Sequence, residues 1–261
     1  MFAASRWFVL FGVEYDLGMT VTPVDVLAFG PHPDDIEIGM GATIAQHVAR
    51  GLRVGLCDLT RGEMGSNGTP EVRMAEAEAA REVLGAAWRV NLGLPDRQLR
   101  ESPDQTTRVA ELIRACRPST IALPHWLDRH PDHTAAAQLV GTAAFSSGLR
   151  RFAAPGEAWK ADWLVYYFIN TPGEPSFVVD VSEHYEAKRR ALDCHLSQFA
   201  PADADKASTR LTSPLFRQLV ESRDAQFGAL AGVRWAEGFV VREPVVRRHL
   251  LKRRHRPEPL A

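Results

Sequence analysis

The sequence predicts an α/β fold, with a Rossmann-like, mostly parallel sheet flanked by helices. Short apolar runs typical of buried strands alternate with longer segments typical of helices from residue 24 onward. Strands and helices that alternate at these lengths form right-handed βαβ units, which build a parallel sheet. Glycine and proline residues stand at many of the boundaries between segments, where helices and strands normally begin and end.

The alternation of strands and helices is most regular in the first half of the chain. Predicted strands cover residues 24–29, 53–59, 88–92 and 120–123, and predicted helices cover residues 40–50, 70–84, 105–116 and 134–147. Thr69 before Pro70 is a favourable helix start, and Gly51 and Gly85 are favourable helix ends. We therefore expect these elements to be consecutive βαβ units.

The second half continues the fold without a visible division. Predicted strands cover residues 163–169 and 177–181, and predicted helices cover residues 183–198 and 215–230. There is no internal repeat and no linker long enough to separate two domains. Residues 21–245 are therefore predicted to form a single α/β domain.

Both ends of the chain differ from this pattern. Residues 1–20 contain the apolar run Trp7 to Phe11, which is too short to span a bilayer and has no convincing signal-peptide cleavage site after it. We interpret residues 1–20 as a disordered or spurious N-terminal extension, with translation starting at Met19. Residues 246–261 are strongly basic, and we interpret them as a solvated tail rather than a nucleic-acid-binding segment.

Composition narrows the possible partners and the compartment. The chain has 261 residues, of which 45% are hydrophobic and 24% charged, and its formal net charge is −1. This balance favours neither nucleic acid nor an anionic membrane as a main partner. The three cysteines, Cys57, Cys116 and Cys194, have no C-x-x-C spacing, so neither a disulfide framework nor a cysteine-rich zinc site is expected. A cytoplasmic protein fits this cysteine usage.

The loop after the first predicted strand carries His32, Asp34 and Asp35, and it is stiffened by Pro31 and Pro33. In open α/β sheets, ligands bind at the edge where such loops lie. His32 and Asp35 offer one nitrogen and one oxygen donor, which suits a metal such as Zn²⁺. Asp34 lies between them and is available as a base. The alternative is a solvated turn in which Asp35 caps the next helix.

A second loop of the same kind follows the strand at residues 120–123 and carries His130 and His133. Parallel strands end at one edge, so the two loops predict a shared metal site at the carboxyl ends of the strands. Three protein ligands leave one position open, so we expect His32, Asp35 and one of these two histidines to bind the metal. The remaining histidine is then available to stabilise an oxyanion or donate a proton, with Asp132 holding its imidazole charged and oriented.

The segments Pro31-His32-Pro33-Asp34-Asp35 and Arg129-His130-Pro131-Asp132-His133 resemble the signature motifs of the PIG-L/LmbE-like zinc-dependent N-acetylglucosamine deacetylases. The resemblance implies one Zn²⁺ per chain, held by His32, Asp35 and His133. It also implies that Asp34 is the general base and that His130 is the electrostatic or acid partner. Homo-oligomers, trimers or hexamers, are a further implication.

Other segments resemble one branch of this family, the bacillithiol-pathway enzymes that remove acetate from N-acetylglucosaminyl L-malate. They are residues 57–63, 66–69, 91–97 and 128–130. Similarity extends over residues 24–199. Pro31 departs from the small residue of most relatives, and residues 171–174 do not match the pattern expected after Asn170. The resemblance nevertheless implies that malate is the aglycone.

A malate group adds two carboxylates to the substrate, and the arginine guanidinium binds carboxylates through two parallel hydrogen bonds. Arg61, Arg97 and Arg129 follow the second, third and fourth predicted strands, so all three can reach the same edge. We expect these arginines to bind substrate, and Asn67 to bind sugar hydroxyls. The alternatives are surface salt bridges for the arginines and a simple turn around Asn67.

Two other functions are compatible with parts of the sequence. One is a deacetylase for another N-acetylglucosamine conjugate, such as a mycothiol precursor or a chito-oligosaccharide. The other is a Rossmann-like nucleotide-binding protein without hydrolytic activity. Gly39 and Gly41 suit that second function, but Ile44 occupies the position of the third glycine in the dinucleotide-binding motif.

Overall fold

A computed structural model describes residues 21–200 and 206–246 of the chain. The strands in these residues are β1 (Val26–Gly30), β2 (Val54–Asp58), β3 (Trp88–Asn91), β4 (Thr120–Pro124), β5 (Trp163–Tyr167), β6 (Phe177–Asp180) and β7 (Ala236–Val240). The helices are α1 (Asp35–Ala49), α2 (Pro70–Leu84), α3 (Pro103–Cys116), α4 (Pro131–Ser147), α5 (Tyr185–Cys194), α6 (Leu196–Phe199) and α7 (Pro214–Ala231). The predicted N-terminal extension and all but the first residue of the predicted basic tail lie outside the described residues.

All seven strands form one sheet in the order β3-β2-β1-β4-β5-β7-β6. Neighbouring strands from β3 to β5 are parallel, and β7 is antiparallel to both β5 and β6. The predicted α/β fold class is therefore confirmed. Sequence analysis does not predict β7, because Glu237 and Gly238 are unusual residues for the interior of a buried strand.

Two apolar cores fill the two faces of the sheet, as the alternation of side chains along a strand requires. In β1, Leu27 and Phe29 join the core beneath α3 and α4. Ala28, between them, joins the core beneath α1, α2, α5 and α7. Within the described ranges, no helix is long and apolar enough to cross a membrane.

Helix α1 begins at Asp35, earlier than predicted, and bends at Met40, where φ is −147°. The buried carboxylate of Glu237 accepts hydrogen bonds from two backbone N–H groups just after the bend, at 3.2 and 2.7 Å. Before the bend, the guanidinium of Arg223 donates to the carbonyl of Ile38 at 2.7 Å. These side chains satisfy backbone groups that the break would leave unpaired, so the first turn of α1 is held in place beside the loop of interest.

The helix predicted over residues 183–198 is divided into α5 and α6. The division falls at His195, whose φ of −84° and ψ of 58° are not helical. The side chain of His195 is fully buried, with Nε2 3.6 Å from a carboxylate oxygen of Glu37. Burial of this imidazole near α1 therefore accompanies the break in the helix.

Candidate active site

The two loops identified in the sequence meet at the carboxyl edge of the sheet. Strand β1 pairs with β2 on one side and with β4 on the other, so the strand order changes direction between the two loops. The ring of His32 lies 5.0 Å from that of His130 and 5.7 Å from that of His133. The rings of His130 and His133 are stacked 4.7 Å apart. The fold thus brings all three predicted histidines into one cluster.

Asp35 joins two of these imidazoles. Its Oδ2 atom lies 3.0 Å from Nδ1 of His32, and its Oδ1 atom lies 3.3 Å from Nε2 of His133. The exposed fraction of each of these three side chains is 11% or less. Nitrogen and oxygen donors at these separations suit a metal whose bonds to such donors are about 2.0–2.2 Å long. The residues therefore fit a divalent metal in donor type, and Asp35 lies within 3.3 Å of a nitrogen of each ring.

Other carboxylates contact the second nitrogen of each of these two rings, the one that does not face Asp35. Nε2 of His32 lies 3.3 Å from an oxygen of Asp132 and 3.3 Å from an oxygen of Asp96. Nδ1 of His133 lies 3.0 Å from an oxygen of Asp128. Metal-binding histidines usually donate their second N–H to a carboxylate, which fixes the ring and raises its basicity. Both rings have this arrangement.

The carboxylates also set the charge preference of the cluster. Burial lowers the pKa of His32, but hydrogen bonds to Asp132, Asp35 and Asp96 outweigh burial and hold the pKa well above its usual value. Burial likewise lowers the pKa of His133, yet the neighbouring carboxylates raise it to about 9. This surplus of negative charge favours positive charge in the cluster, supplied by protons on the imidazoles or by a bound cation.

Two triads of donor residues in the described part of the chain are compact enough for one metal ion, with ligand atoms within 4.8 Å of one another. One triad is His32, His130 and His133, and the other is His32, Asp96 and Asp132. The distances alone therefore leave both His130 and His133 within reach of a metal at His32. Their hydrogen-bonding partners differ, which bears on their roles.

Asp34 is buried at the N-terminus of α1, with a positive φ of 113°. Non-glycine residues rarely adopt this conformation, and strain of this kind is concentrated at functional sites. Burial raises the pKa of the Asp34 carboxyl to about 6, although the guanidinium of Arg73, 3.4 Å away, opposes that shift. A carboxylate with a pKa near neutrality and beside the metal donors is suited to accept a proton.

The surroundings of His130 correct one expectation from the sequence. Nδ1 of His130 accepts the backbone N–H of Asp132 at 3.2 Å, while the carboxylate of Asp132 faces His32 and Arg97. Asp132 therefore does not hold His130 in a charged form. Burial, followed by repulsion from His133 and His32, lowers the pKa of His130. The ring is accordingly neutral near pH 7, with its proton on Nε2.

A cleft of about 350 Å³ opens from the histidine cluster. Its walls include two of the predicted substrate-binding arginines, Arg97 and Arg129. Arg97 donates to Asp132 through its backbone N–H at 2.9 Å and through its guanidinium at 3.2 Å. Arg129 is exposed at the rim of the cleft. The cleft therefore combines a floor rich in carboxylates with a wall rich in guanidinium groups.

The other two predicted substrate-binding residues lie outside the lining of this cleft. Arg61 packs over Gly93 on the neighbouring loop. The side-chain amide of Asn67 donates to the carbonyl of Ala207 and accepts from its N–H, both at 2.9 Å. Since Asn67 uses its amide in this way, the expectation that it binds sugar hydroxyls is corrected.

Several residues of the site were not selected in the sequence. Asp96 and Asp128 lie in segments that resemble the family, and each directly precedes a selected arginine. Both could therefore have been selected from the sequence. Arg73, Gln198 and Arg210 also line the cleft. Each of these three stands in a segment without a recognisable motif, so only the tertiary fold reveals them.

Comparison with known proteins supports the same chemistry. Residues 27–144 match the family described as PIG-L, GlcNAc-PI de-N-acetylase. The diacetylchitobiose deacetylase of Thermococcus kodakarensis is 31% identical over 230 residues, which cover 82% of this chain and 81% of that protein. The probable N-acetyl-alpha-D-glucosaminyl L-malate deacetylase 2 of Bacillus anthracis is 29% identical over 67% of this chain and 81% of that protein.

The fold is shared with solved structures as well. A conserved protein from Thermus thermophilus is similar, with a TM-score of 0.79 and 39% sequence identity over 86% of this chain and 97% of that one. These relationships decide against the alternative of a nucleotide-binding protein without hydrolytic activity. The chain belongs to the PIG-L family, whose deacetylases are metal-dependent, and it is a hydrolytic N-deacetylase of GlcNAc-containing substrates.

Proposed function

We propose that this protein is a zinc-dependent hydrolase that removes the N-acetyl group from N-acetylglucosaminyl L-malate, giving glucosaminyl malate and acetate in bacillithiol biosynthesis. The observation that carries the hydrolytic part is the buried contact of Asp35 with both His32 and His133, beside Asp34. The observation that favours malate is that several arginines line the cleft that opens from this cluster.

His32, Asp35 and His133 are the proposed zinc ligands. The choice of His133 over His130 rests on the partners of their Nδ1 atoms. Asp128 holds Nδ1 of His133 at 3.0 Å, so its Nε2 atom is directed towards Asp35. Nδ1 of His130 instead accepts a backbone N–H, and within the described residues no carboxylate accepts a hydrogen bond from that ring. The pattern at His133 is the one typical of a metal ligand.

The reaction divides between the ion and two side chains. Zinc in this position supplies a Lewis acid, which polarises the acetyl carbonyl and makes water more acidic. Asp34 accepts a proton from the attacking water, because its carboxylate is buried beside the ligands and its pKa of about 6 leaves it ionised at neutral pH. The N–H at Nε2 of His130 is directed to the oxygen that gains negative charge.

Cleavage of the C–N bond requires a proton on the leaving nitrogen. Asp34 holds the proton that it took from water and is the suitable donor. The neutral ring of His130 is not, because loss of its Nε2 proton would leave an imidazolate anion. Return of the proton by Asp34 leaves both residues in their starting forms after one turnover. His130 could serve as the donor only in its doubly protonated, imidazolium form.

The proposal for the aglycone rests on charge. Arg129 is an exposed residue of the cleft that opens from the metal donors, and we place the group attached to the sugar beside it. A malate group offers it a carboxylate, whereas the inositol of a mycothiol precursor and the second sugar of a chito-oligosaccharide are uncharged. The 31% identity to a diacetylchitobiose deacetylase keeps the chito-oligosaccharide as the second candidate.

Acetate release from matched substrates tests the proposal. The zinc-loaded protein should deacetylate N-acetylglucosaminyl L-malate with a higher kcat/KM than N-acetylglucosaminyl inositol, diacetylchitobiose or free N-acetylglucosamine. A higher kcat/KM for diacetylchitobiose than for the malate conjugate would overturn the malate assignment in favour of the second candidate. Activity that does not respond to chelation and to readdition of zinc would overturn the metal assignment.

Two further parts of the proposal follow from the family resemblance. We propose that the protein is a cytoplasmic homo-oligomer, a trimer or a hexamer. Size-exclusion chromatography with light scattering measures the assembly, and a monomer at micromolar concentration would contradict it.

A further inference from the structure

Four arginines of the described residues line the cleft, and two of them have guanidinium groups that bond to other protein groups. Arg73 donates to the carbonyls of Gly62 at 3.0 Å and Pro33 at 2.8 Å, and it contacts Asp34. Arg97 donates to Asp132 at 3.2 Å. These contacts bind the two arginines to the loops that carry the catalytic residues, so both act mainly as parts of the cleft wall.

The guanidinium groups of Arg129 and Arg210 differ from those two. Among residues 21–200 and 206–246, neither group donates a hydrogen bond or forms an ion pair with a carboxylate. The guanidinium of Arg210 lies over the ring of Phe216, 5.4 Å from its centroid, and Phe216 is itself a buried part of the cleft wall. Partial burial and the charge of Arg129 lower the pKa of Arg210. Asp128 opposes this shift. Both guanidinium groups line the same cleft, so one anion bound there can contact both.

Arg210 has a fixed place in the fold. It lies in a turn closed by Thr212, whose hydroxyl accepts the N–H of Thr209 and donates to its carbonyl, both at 2.9 Å. Just before this turn, Ala207 is held by both hydrogen bonds of the Asn67 amide. Asn67 in turn is tied to the wall of the cleft, because its carbonyl accepts from Gln198 at 2.7 Å. Asn67 therefore positions the segment that carries Arg210.

We propose that Arg129 and Arg210 together form the subsite for the carboxylates of the aglycone, and that Asn67 is a positioning residue for this subsite. The inference rests on the proposed deacetylase function and adds Arg210 to it. Two guanidinium groups that line one cleft and have no carboxylate partner among the described residues gain from a bound anion, because the ligand supplies each with a charge-assisted contact. A dicarboxylate such as malate can satisfy both groups at once.

The same charges orient the substrate. The floor of the cleft carries Asp34, Asp35 and Asp96, whose charges offset that of the proposed zinc ion, so the floor does not select an anionic group. The rim carries Arg129 and Arg210, which attract one. An N-acetylglucosamine conjugate with a charged aglycone therefore enters with its carboxylates at the rim and its neutral acetamide at the floor. This orientation is the one that deacetylation requires.

The test compares kcat/KM for the malate conjugate and for methyl N-acetylglucosaminide, which has no carboxylate. Arg129→Ala and Arg210→Ala should each lower kcat/KM for the malate conjugate by about 10- to 100-fold, the usual range for a charge-assisted contact. Each should change the value for the methyl glycoside by less than about 3-fold. Arg210→Lys should restore only part of the loss, since it retains the charge without the planar fork. Arg150→Ala, at an exposed turn after α4, is the matched control and should leave both values unchanged.

Binding of the product gives a readout apart from turnover. The inhibition constant of glucosaminyl malate should rise by a similar factor in Arg210→Ala, while that of methyl glucosaminide should not. Asn67→Ala should reproduce the Arg210→Ala selectivity in milder form, and adding Asn67→Ala to Arg210→Ala should cause little further loss. Asn67→Asp keeps the acceptor for the N–H of Ala207 and serves if the alanine variant does not fold.

The possible outcomes distinguish failure of the proposed subsite from failure of the proposed deacetylase function. Equal losses on the two substrates in Arg210→Ala would overturn the subsite and leave the deacetylase intact, since Arg210 would then only support the cleft. A loss in Asn67→Ala that persists at full size in the Arg210→Ala background would overturn the positioning role. If the wild-type protein processed the methyl glycoside at least as well as the malate conjugate, the malate assignment itself would fail.

Discussion

The carboxylate of Asp128 lies 3.0 Å from Nδ1 of His133, and the same carboxylate accepts the backbone N–H groups of His130 and Asn170. One aspartate thus fixes the ring that is proposed to bind the metal and joins the loops that follow β4 and β5. Burial raises the pKa of Asp128, but its bond to His133 and that ring's charge lower it to about 2. Asp128 is therefore ionised across the working range of pH.

Metal analysis of single variants tests the assignment of the two histidines. His133→Ala should lose most of its bound zinc, because one of three protein ligands is removed. His130→Ala should retain about one ion per chain and lose activity, because the ring is proposed to act on the substrate. Metal content after gel filtration measures both. Normal zinc in His133→Ala together with loss of zinc in His130→Ala would reverse the two roles.

The Asp34→Asn variant separates the base from the ligands. It should bind zinc normally, since Asp34 is not a proposed ligand, while kcat falls by about 10²- to 10⁴-fold, the usual contribution of a general base. The comparison is kcat at matched zinc occupancy. A zinc-loaded Asp34→Asn protein with near-normal kcat would remove Asp34 from the mechanism.

The pH dependence of turnover follows from the same residue. Asp34 must be ionised to accept a proton, and burial raises its pKa to about 6, so kcat/KM should fall as pH decreases below about 6. A cation bound beside the carboxylate favours its ionised form, so bound zinc shifts this fall in kcat/KM to lower pH. The pH profile of kcat/KM measures it. An acidic limb with a midpoint above pH 7 would contradict the assignment.

The fold class and the location of the site at the carboxyl edge of the sheet could be predicted from the sequence, because strands and loops are recognised from local patterns. The first four strands are displaced by two residues or fewer at either end, and the two motifs meet as expected. The misses depend on tertiary contacts. Strand β7 is stable because Glu237 is paired with Lys188 at 2.7 Å and bonded to α1, which no local pattern reveals. The role of Asn67 likewise depends on Ala207, 140 residues away.

A buried ion pair behind the site predicts a strong effect on stability. Glu37 is fully buried and pairs with Arg89, which also binds Asp58 through two hydrogen bonds of 2.7 and 2.8 Å. Glu37→Gln removes one of the two carboxylates that Arg89 contacts, while Asp58 keeps the guanidinium paired, so the expected loss is that of a hydrogen bond to a charged group, about 1.5–3 kcal/mol. Chemical denaturation at pH 7 measures the loss. A loss below about 1 kcal/mol would mean that the pair contributes as little as an exposed one.

The sign of the pH effect provides a second check on Glu37. Burial raises the pKa of Glu37, but Arg89 outweighs burial and lowers it from 4.5 to about 2. Because the folded-state pKa is depressed, the stabilising contribution is complete above pH 4.5 and is lost as pH falls towards 2. The difference in unfolding free energy between wild type and Glu37→Gln should therefore shrink over this interval. A difference that stays constant over it would contradict the depressed pKa.

The last prediction concerns Asp132, for which sequence and structure give different roles. The sequence suggested that Asp132 orients His130, whereas the carboxylate contacts Nε2 of His32 at 3.3 Å. Asp132→Asn should therefore weaken zinc binding by about 10- to 100-fold, as loss of a carboxylate behind a metal-binding histidine usually does. At saturating zinc, kcat should recover substantially, because His130 keeps its bond to the backbone N–H of residue 132. Asp128→Asn is the matched variant, because Asp128 contacts the ring of His133, and it should weaken zinc binding by a similar factor. Unchanged zinc affinity with a kcat that saturating zinc does not restore would return Asp132 to the role expected from the sequence.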